Sequence, residues 1–177
     1  QLPNLNILDV GTGSGCIPIT LKKHLPNANV FGLDISSEAL ATAKENAAFN
    51  NLSVNFIEGD ILNHSNIQSF HHSKLDAIVS NPPYIKEDEK PAMHRNVLAN
   101  EPHIALFVSN ENPLIFYKAI VDFAKCNLKK DGYLFFEINE YLGKETVQML
   151  VDKGFSAIEL RKDMQGKDRM ISAKLGS

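Results

Sequence analysis

Apolar residues alternate between two rhythms along this chain. Short runs of four to six read as buried strands: Leu5 to Val10, Val30 to Asp34, Val54 to Glu58, Leu75 to Ser80 and Tyr133 to Ile138. Segments with apolar residues at three- and four-residue spacing lie between several of them. One helix runs to about Leu25, where Pro26-Asn27 stops it. Ser36 or Ser37 caps the next, which carries Leu40, Ala43 and Ala47 on one face. Asn112 as N-cap and Pro113 at the first helical position open a third. Its stripe is Leu114, Tyr117, Ile120, Val121, Ala124 and Leu128; Lys129 and Lys130 suit its C-terminus, and Gly132 ends it. Gly143 to Lys153 is a fourth, stopped by Gly154. Ala157 to Leu160 and Met170 to Ala173 follow with no helix between them, so they form an antiparallel hairpin.

Strands separated by helices make right-handed βαβ units, hence an α/β domain with a mainly parallel sheet and helices on both faces. Such sheets bind ligands at the carboxyl ends of their strands. The polar stretch Asn63 to Lys74 reads as a solvated loop. Its adjacent His71 and His72 cannot converge on one face, and no metal site is read there. Asn81 to Asn112 shows no clear period and is read as a functional loop with a short helical piece.

Composition narrows the class. With 177 residues, 44% of them hydrophobic, the chain can bury one substantial core, so residues 1–177 are read as one domain. The formal net charge of −3 carries no overall nucleic-acid footprint. Cys16 and Cys126 do not make a disulfide framework, which fits a reducing, cytoplasmic setting; Cys16 is read as packing. No apolar run approaches the ~20 residues of a membrane span. The start at Gln1, close to the first strand, reads as a C-terminal fragment of a longer protein.

The first strand runs into Asp9-Val10-Gly11-Thr12-Gly13-Ser14-Gly15. Glycine at alternate positions lets the backbone turn sharply and approach a ligand. The spacing is neither that of a dinucleotide loop nor that of a Walker loop. Asp34 ends the second strand, where an acid can accept both hydroxyls of a ribose; the alternative is capping. Asp60, after the third strand, can accept from an adenine amino group or cap a helix, and Ile61 can pack on the ring. Asp9 orients the loop. Acids around the loop favour a cationic ligand such as S-adenosylmethionine over the pyrophosphate of NAD.

The fourth strand ends in Ser80-Asn81-Pro82-Pro83-Tyr84. Two prolines fix φ and remove two N–H donors, and Asn81 is held extended by the proline after it. The Asn81 side-chain oxygen and the Pro82 carbonyl then form a stiff pair of acceptors, matched to the two hydrogens of a planar NH2 group. Such a pair orients a delocalised nitrogen and stabilises the charge that develops on it. Tyr84 can stack on a planar substrate. Asn81 and Pro82 are thus the catalytic candidates. The alternative is an ordinary proline-rich turn.

Asp9-Val-Gly-Thr-Gly-Ser-Gly15, Asp34, Gly59-Asp60 and Asn81-Pro-Pro-Tyr-Ile85 together resemble the class I S-adenosylmethionine-dependent methyltransferases. More narrowly they resemble the HemK/PrmC family of release-factor glutamine methyltransferases. Glu101-Pro102 with Ala105-Leu106, and Asp163 to Met170 with Gly166 and Arg169, resemble two further elements of that family. The resemblance implies a Rossmann-like fold of seven strands, mainly parallel, with the last strand antiparallel. It implies methyl transfer from S-adenosylmethionine, leaving S-adenosylhomocysteine, to the glutamine amide of a Gly-Gly-Gln motif in a peptide chain release factor. Gly11, Thr12, Gly13, Ser14, Gly15, Asp34, Asp60, Ile61 and Asn81 are then expected at the cofactor, and Asn81, Pro82, Pro83, Tyr84 and Glu101 at the substrate. Asn100 departs from the aromatic residue usual there, and the family's helical N-terminal domain lies outside this sequence.

Adenine-amino methyltransferases acting on DNA or RNA solve the same NH2 problem but need a basic surface. Lys86, Lys90, His94 and Arg95 lie near the corner and are offset by Glu87, Asp88 and Glu89. A nucleic-acid target is therefore the second reading, and a binding module that has lost catalysis the third.

Overall fold

The computed structural model describes residues 4–67, 74–86, 88, 90 and 106–176. In chain order these form β1 (Asn6–Val10), α1 (Cys16–His24), β2 (Asn29–Asp34), α2 (Ser37–Phe49), β3 (Asn55–Glu58) and a 3-10 turn (Ile61–Asn66). There follow β4 (Leu75–Ser80), β5 (Ile85–Lys86), β6 (Phe107–Val108), α3 (Ile115–Asn127), β7 (Leu128–Glu137), α4 (Gly143–Asp152), β8 (Phe155–Lys162) and β9 (Asp168–Leu175). No helix among the described residues is long and apolar enough to cross a membrane.

The main sheet has seven strands in the order β3-β2-β1-β4-β7-β9-β8. The first five run parallel, and β9 lies antiparallel to both β7 and β8. The last strand of the chain is thus the antiparallel one, as expected. Alternate residues feed opposite faces. Leu8, Val10, Ile78, Leu134 and Phe136 join the larger core with Tyr117, Ile120 and Val121 of α3 and Leu150 of α4. On the other face Ile7 and Val30 pack with Leu21 and Leu25 at the end of α1.

Local chemistry explains several boundaries. The Ser36 hydroxyl accepts from the Ala39 N–H at 3.1 Å, which selects Ser36 over Ser37 as the cap of α2. Between β8 and β9, Asp163 Oδ1 accepts from the Gln165 and Lys167 N–H groups at 2.9 and 3.1 Å, closing the hairpin turn. That turn chemistry supports strands longer than the four apolar residues visible in each.

Other boundaries differ from the sequence reading. Asn112 does not cap α3: Leu114 occupies the N-cap position, without a side-chain hydrogen bond. Asn112 offers its backbone carbonyl to the Ile115 N–H instead, at 3.2 Å. The helix ends at Asn127 rather than near Gly132, because Leu128 pairs with Leu75 of β4 and is buried. Sheet pairing thus overrides a helical stripe that continues in sequence. Lys129, expected at a helix end, instead pairs with Asp76 at 2.7 Å. Cys16 is exposed rather than packed. Within the aperiodic segment after β4, the parallel pair β5–β6 aligns Ile85 with Phe107 and Lys86 with Val108.

Candidate functional site

The carboxyl ends of β1, β2 and β4 bring together the glycine loop, Asp34 and the Asn81 corner. The loop is tied to β2 by its backbone: the Gly11 and Thr12 N–H groups both donate to the Leu33 carbonyl, at 2.8 and 3.0 Å. The Gly13 N–H donates to Asp34 Oδ2 at 2.8 Å, and Ser36 N–H to Asp34 Oδ1 at 2.9 Å. Asp34 thus shapes the loop with one lone pair on each oxygen, and a carboxylate has further lone pairs for a ligand.

Two glycines show why side chains are excluded here. Gly15 has φ +82, and a Cβ on it would lie 3.0 Å from the Ala43 Cβ of α2. Gly13 has φ +54, and nothing stands within 4 Å of where its Cβ would be. The first glycine is demanded by packing and conformation. The second opens onto free space at the mouth of the site.

Beneath the loop, Asp9 is fully buried. Its Oδ2 accepts from the Thr12 hydroxyl at 2.6 Å, and its Oδ1 has no hydrogen-bond partner among the described residues. Burial pushes its pKa up to about 7, against the lowering effect of the Thr12 hydrogen bond and with a smaller push from the nearby Asp34 charge. Two carboxyls therefore lie against the same loop, Asp9 sealed beneath it and Asp34 half-buried at the end of β2. The negative charge of Asp34 there suits a ligand that bears positive charge or hydroxyl donors.

Asp60 serves the capping role foreseen as its alternative: Oδ1 accepts from the Leu62 N–H at 2.9 Å. The Ile61 side chain packs in the larger core. Ile35, which the sequence reading passed over, is the apolar residue exposed directly after Asp34 (51%). An apolar residue immediately following a strand-end acid was the available signal.

The corner sits beside the loop. The Asn81 carbonyl oxygen lies 3.9 Å from where a Cβ on Gly11 would stand. Ser80 anchors the corner to β1 by donating its hydroxyl to the Val10 carbonyl at 2.6 Å. Asn81 is exposed, Pro82 buried, and Pro83 and Tyr84 half-buried. The Tyr84 hydroxyl donates to Glu137 Oε1 at 2.8 Å, and its carbonyl accepts from Asn139 Nδ2 at 3.0 Å. Burial first, then the hydrogen bond to Glu137, pushes the Tyr84 phenol up to about 12. Glu137 and Asn139 also escaped the sequence reading, since no motif marks the end of β7. Glu101, Pro102, Ala105, His94, Arg95, Glu87 and Glu89 lie outside the described residues. Of the basic residues near the corner that are described, Lys86 pairs with Asp88 at 3.8 Å, and Lys90 stands 5.4 Å from the Phe107 ring centre.

Similarity to known proteins agrees with this geometry. Residues 1–106 match the family model described as methyltransferase small domain. The chain is 52% identical over 171 residues to a release factor glutamine methyltransferase of Flavobacterium psychrophilum, covering 97% of this chain and 59% of the relative. It is 44% identical over 167 residues to a release factor glutamine methyltransferase of Bacteroides thetaiotaomicron, covering 94% and 59%. The chain therefore spans under two thirds of the length of these curated relatives. Its fold is shared with a solved methyltransferase from Pyrococcus furiosus, at a TM-score of 0.70 and 17% identity, covering 98% of this chain and 76% of that one. The sheet order, the glycine loop on β1 and the matched family model place the chain together: it belongs to the methyltransferase small domain family.

Proposed function

We propose that this chain is the catalytic domain of an S-adenosylmethionine-dependent methyltransferase. Its substrate is the side-chain amide of the glutamine in the Gly-Gly-Gln motif of a peptide chain release factor. The observation that carries the reading is the adjacency of Gly11 and the Asn81 carbonyl, which sets a cofactor loop directly against an NH2-binding corner. The names of the relatives at 52% and 44% identity support the choice of glutamine.

The residues fit the cofactor. Gly11 to Gly15 let its amino-acid portion approach the backbone, with Gly13 facing open space. Asp34, half-buried at the end of β2, would accept from the ribose hydroxyls, while Asp9, sealed beneath the loop, braces it through Thr12. Ile35 offers an apolar face to the adenine beside Asp60 and the Ile61 backbone. When bound, S-adenosylmethionine supplies a methyl group on a positively charged sulfur.

The corner does the rest by orientation. The Asn81 side-chain oxygen and the Pro82 carbonyl would each accept one hydrogen of the glutamine NH2. The nitrogen lone pair is thereby turned toward the methyl, and the charge growing on nitrogen is stabilised. Pro83 and Tyr84 wall the amide, with Glu101 proposed at the substrate as well. No strong base is needed, because the nitrogen's proton becomes acidic once the new bond forms. A protein partner is proposed over a nucleic acid: of the described basic residues near the corner, Lys86 is paired with Asp88 and Lys90 stands over the Phe107 ring.

The test is transfer of labelled methyl to purified release factor, beside a Gly-Gly-Ala variant of that factor and duplex DNA. Label on the native factor alone is the expected result. Label on DNA, or equal label on the Gly-Gly-Ala variant, would overturn the assignment.

A further inference from the structure

The Asn81 corner is clamped at both ends. Ser80 fixes the near end through its 2.6 Å bond to the Val10 carbonyl. The far end is Tyr84, and its clamp comes from β7. Ser80 is in register with Phe136, so Glu137 stands one residue beyond the end of β4, alongside the corner. Glu137 Oε1 accepts the Tyr84 hydroxyl at 2.8 Å, while Asn139 Nδ2 donates to the Tyr84 carbonyl at 3.0 Å. The positive charge of Arg169 lies near enough to oppose the upward push on the Tyr84 phenol. Arg169 is itself held by Asp163 Oδ2 at 3.3 Å and by the Ile138 carbonyl at 3.5 Å. Glu137 is fixed in turn, since its own carbonyl accepts the Tyr117 hydroxyl at 3.1 Å.

We infer that Glu137 is a positioning residue for methyl transfer: by holding the Tyr84 hydroxyl it keeps the Asn81 and Pro82 acceptors in one orientation. The inference rests on the reading of the corner as the amide site. Pro82 and Pro83 have fixed φ, which removes two of the corner's soft torsions and leaves its orientation dependent on how its two ends are held. Ser80 is immobilised by the sheet, which leaves Tyr84 as the end that can swing. A half-buried tyrosine hydroxyl already donating to Glu137 is committed to that contact. Its part in the site is to stay still. Displacements near 1 Å at an orienting group cost roughly a hundredfold in rate while leaving ground-state binding largely intact.

The experiment compares Glu137→Ala, Tyr84→Phe, their double variant and Glu137→Gln in the full chain, with release factor as methyl acceptor. Glu137→Ala is expected to lower kcat roughly ten- to a hundredfold, with KM for the factor and the cofactor Kd each within about threefold of wild type. Tyr84→Phe should lose a similar factor, and the double variant should be no worse than either, since both remove one contact. Glu137→Gln should recover most of the rate, because its amide oxygen can accept the same hydrogen. A Glu137→Ala kcat within about twofold of wild type, or losses that multiply in the double variant, overturns the inference while wild-type turnover leaves the functional reading standing. If wild type methylates no release factor, the functional reading fails on its own. Crystal structures of wild type and Glu137→Ala then decide the positioning role: a displaced Asn81–Tyr84 segment supports it, and an unmoved one removes it.

Discussion

The Thr12 hydroxyl donates to Asp9 Oδ2 at 2.6 Å, yet Asp9 Oδ1, in the same buried carboxyl, has no donor among the described residues. One turn of the glycine loop thus satisfies half of an acid and leaves the other half buried without a donor among the described residues, an arrangement that costs stability when the acid is charged.

This half-satisfied acid sets a pH dependence. The folded pKa of about 7 lies above the ordinary aspartate value of 3.8, so the fold binds the Asp9 proton more tightly than the unfolded chain does. The contribution is fully present below about pH 4 and is lost as pH rises through about 7, a total change on the order of 4 kcal/mol. Urea unfolding of wild type and Asp9→Asn at pH 5 and pH 8 should show the variant gaining on wild type toward pH 8. Identical pH slopes for the two proteins would remove this account of Asp9.

Asp34 holds the loop through Gly13 and the start of α2 through Ser36. Asp34→Ala therefore weakens two structures at once. Its unfolding free energy should fall by about 1–3 kcal/mol, and its Kd for S-adenosylmethionine should rise tenfold or more by roughly the loss of two charge-assisted hydrogen bonds. Calorimetric titration checks the second effect, and an unchanged Kd would contradict the ribose role.

On the proposed reading, the main part of Asn81 is to orient the amide, with little of the cofactor's affinity resting on its side chain. Asn81→Ala should keep its cofactor Kd within about threefold and lose kcat by roughly a hundredfold or more. Single-turnover methyl transfer with saturating cofactor is the measurement. Undiminished turnover would reduce Asn81-Pro82-Pro83-Tyr84 to a turn.

The two glycines should separate packing from ligand approach. Gly15→Ala adds a methyl 3.0 Å from the Ala43 Cβ at a left-handed φ, so its main effect is on folding, about 1–3 kcal/mol by thermal or urea unfolding. Gly13→Ala meets nothing within 4 Å, so its folding cost is the left-handed conformation alone, about 1 kcal/mol. Its methyl projects into free space on the loop, and cofactor affinity should fall more than stability does. The reverse order of effects would place the ligand elsewhere.

Much of this architecture was legible along the chain because its causes are local. Strand runs, the cap at Ser36, the glycine loop and the proline corner all depend on neighbours a few residues away, where φ preferences and side-chain spacing act directly. The same locality made the Asp34 and Asp60 positions readable as strand ends, though not which backbone groups would claim their oxygens.

What the chain could not disclose alone are the choices made by partners distant in sequence. The stripe of α3 runs on to Leu128 in sequence, but pairing with Leu75 ends the helix at Asn127. Tyr84 and Glu137 lie 53 positions apart, and only the placement of β7 beside β4 brings a hydroxyl within 2.8 Å of a carboxyl oxygen. The sequence by itself determined which chemical groups stand at the strand ends, since each follows from a local turn. The tertiary structure decided which of those groups meet, because sheet order and register set distances that no local preference contains.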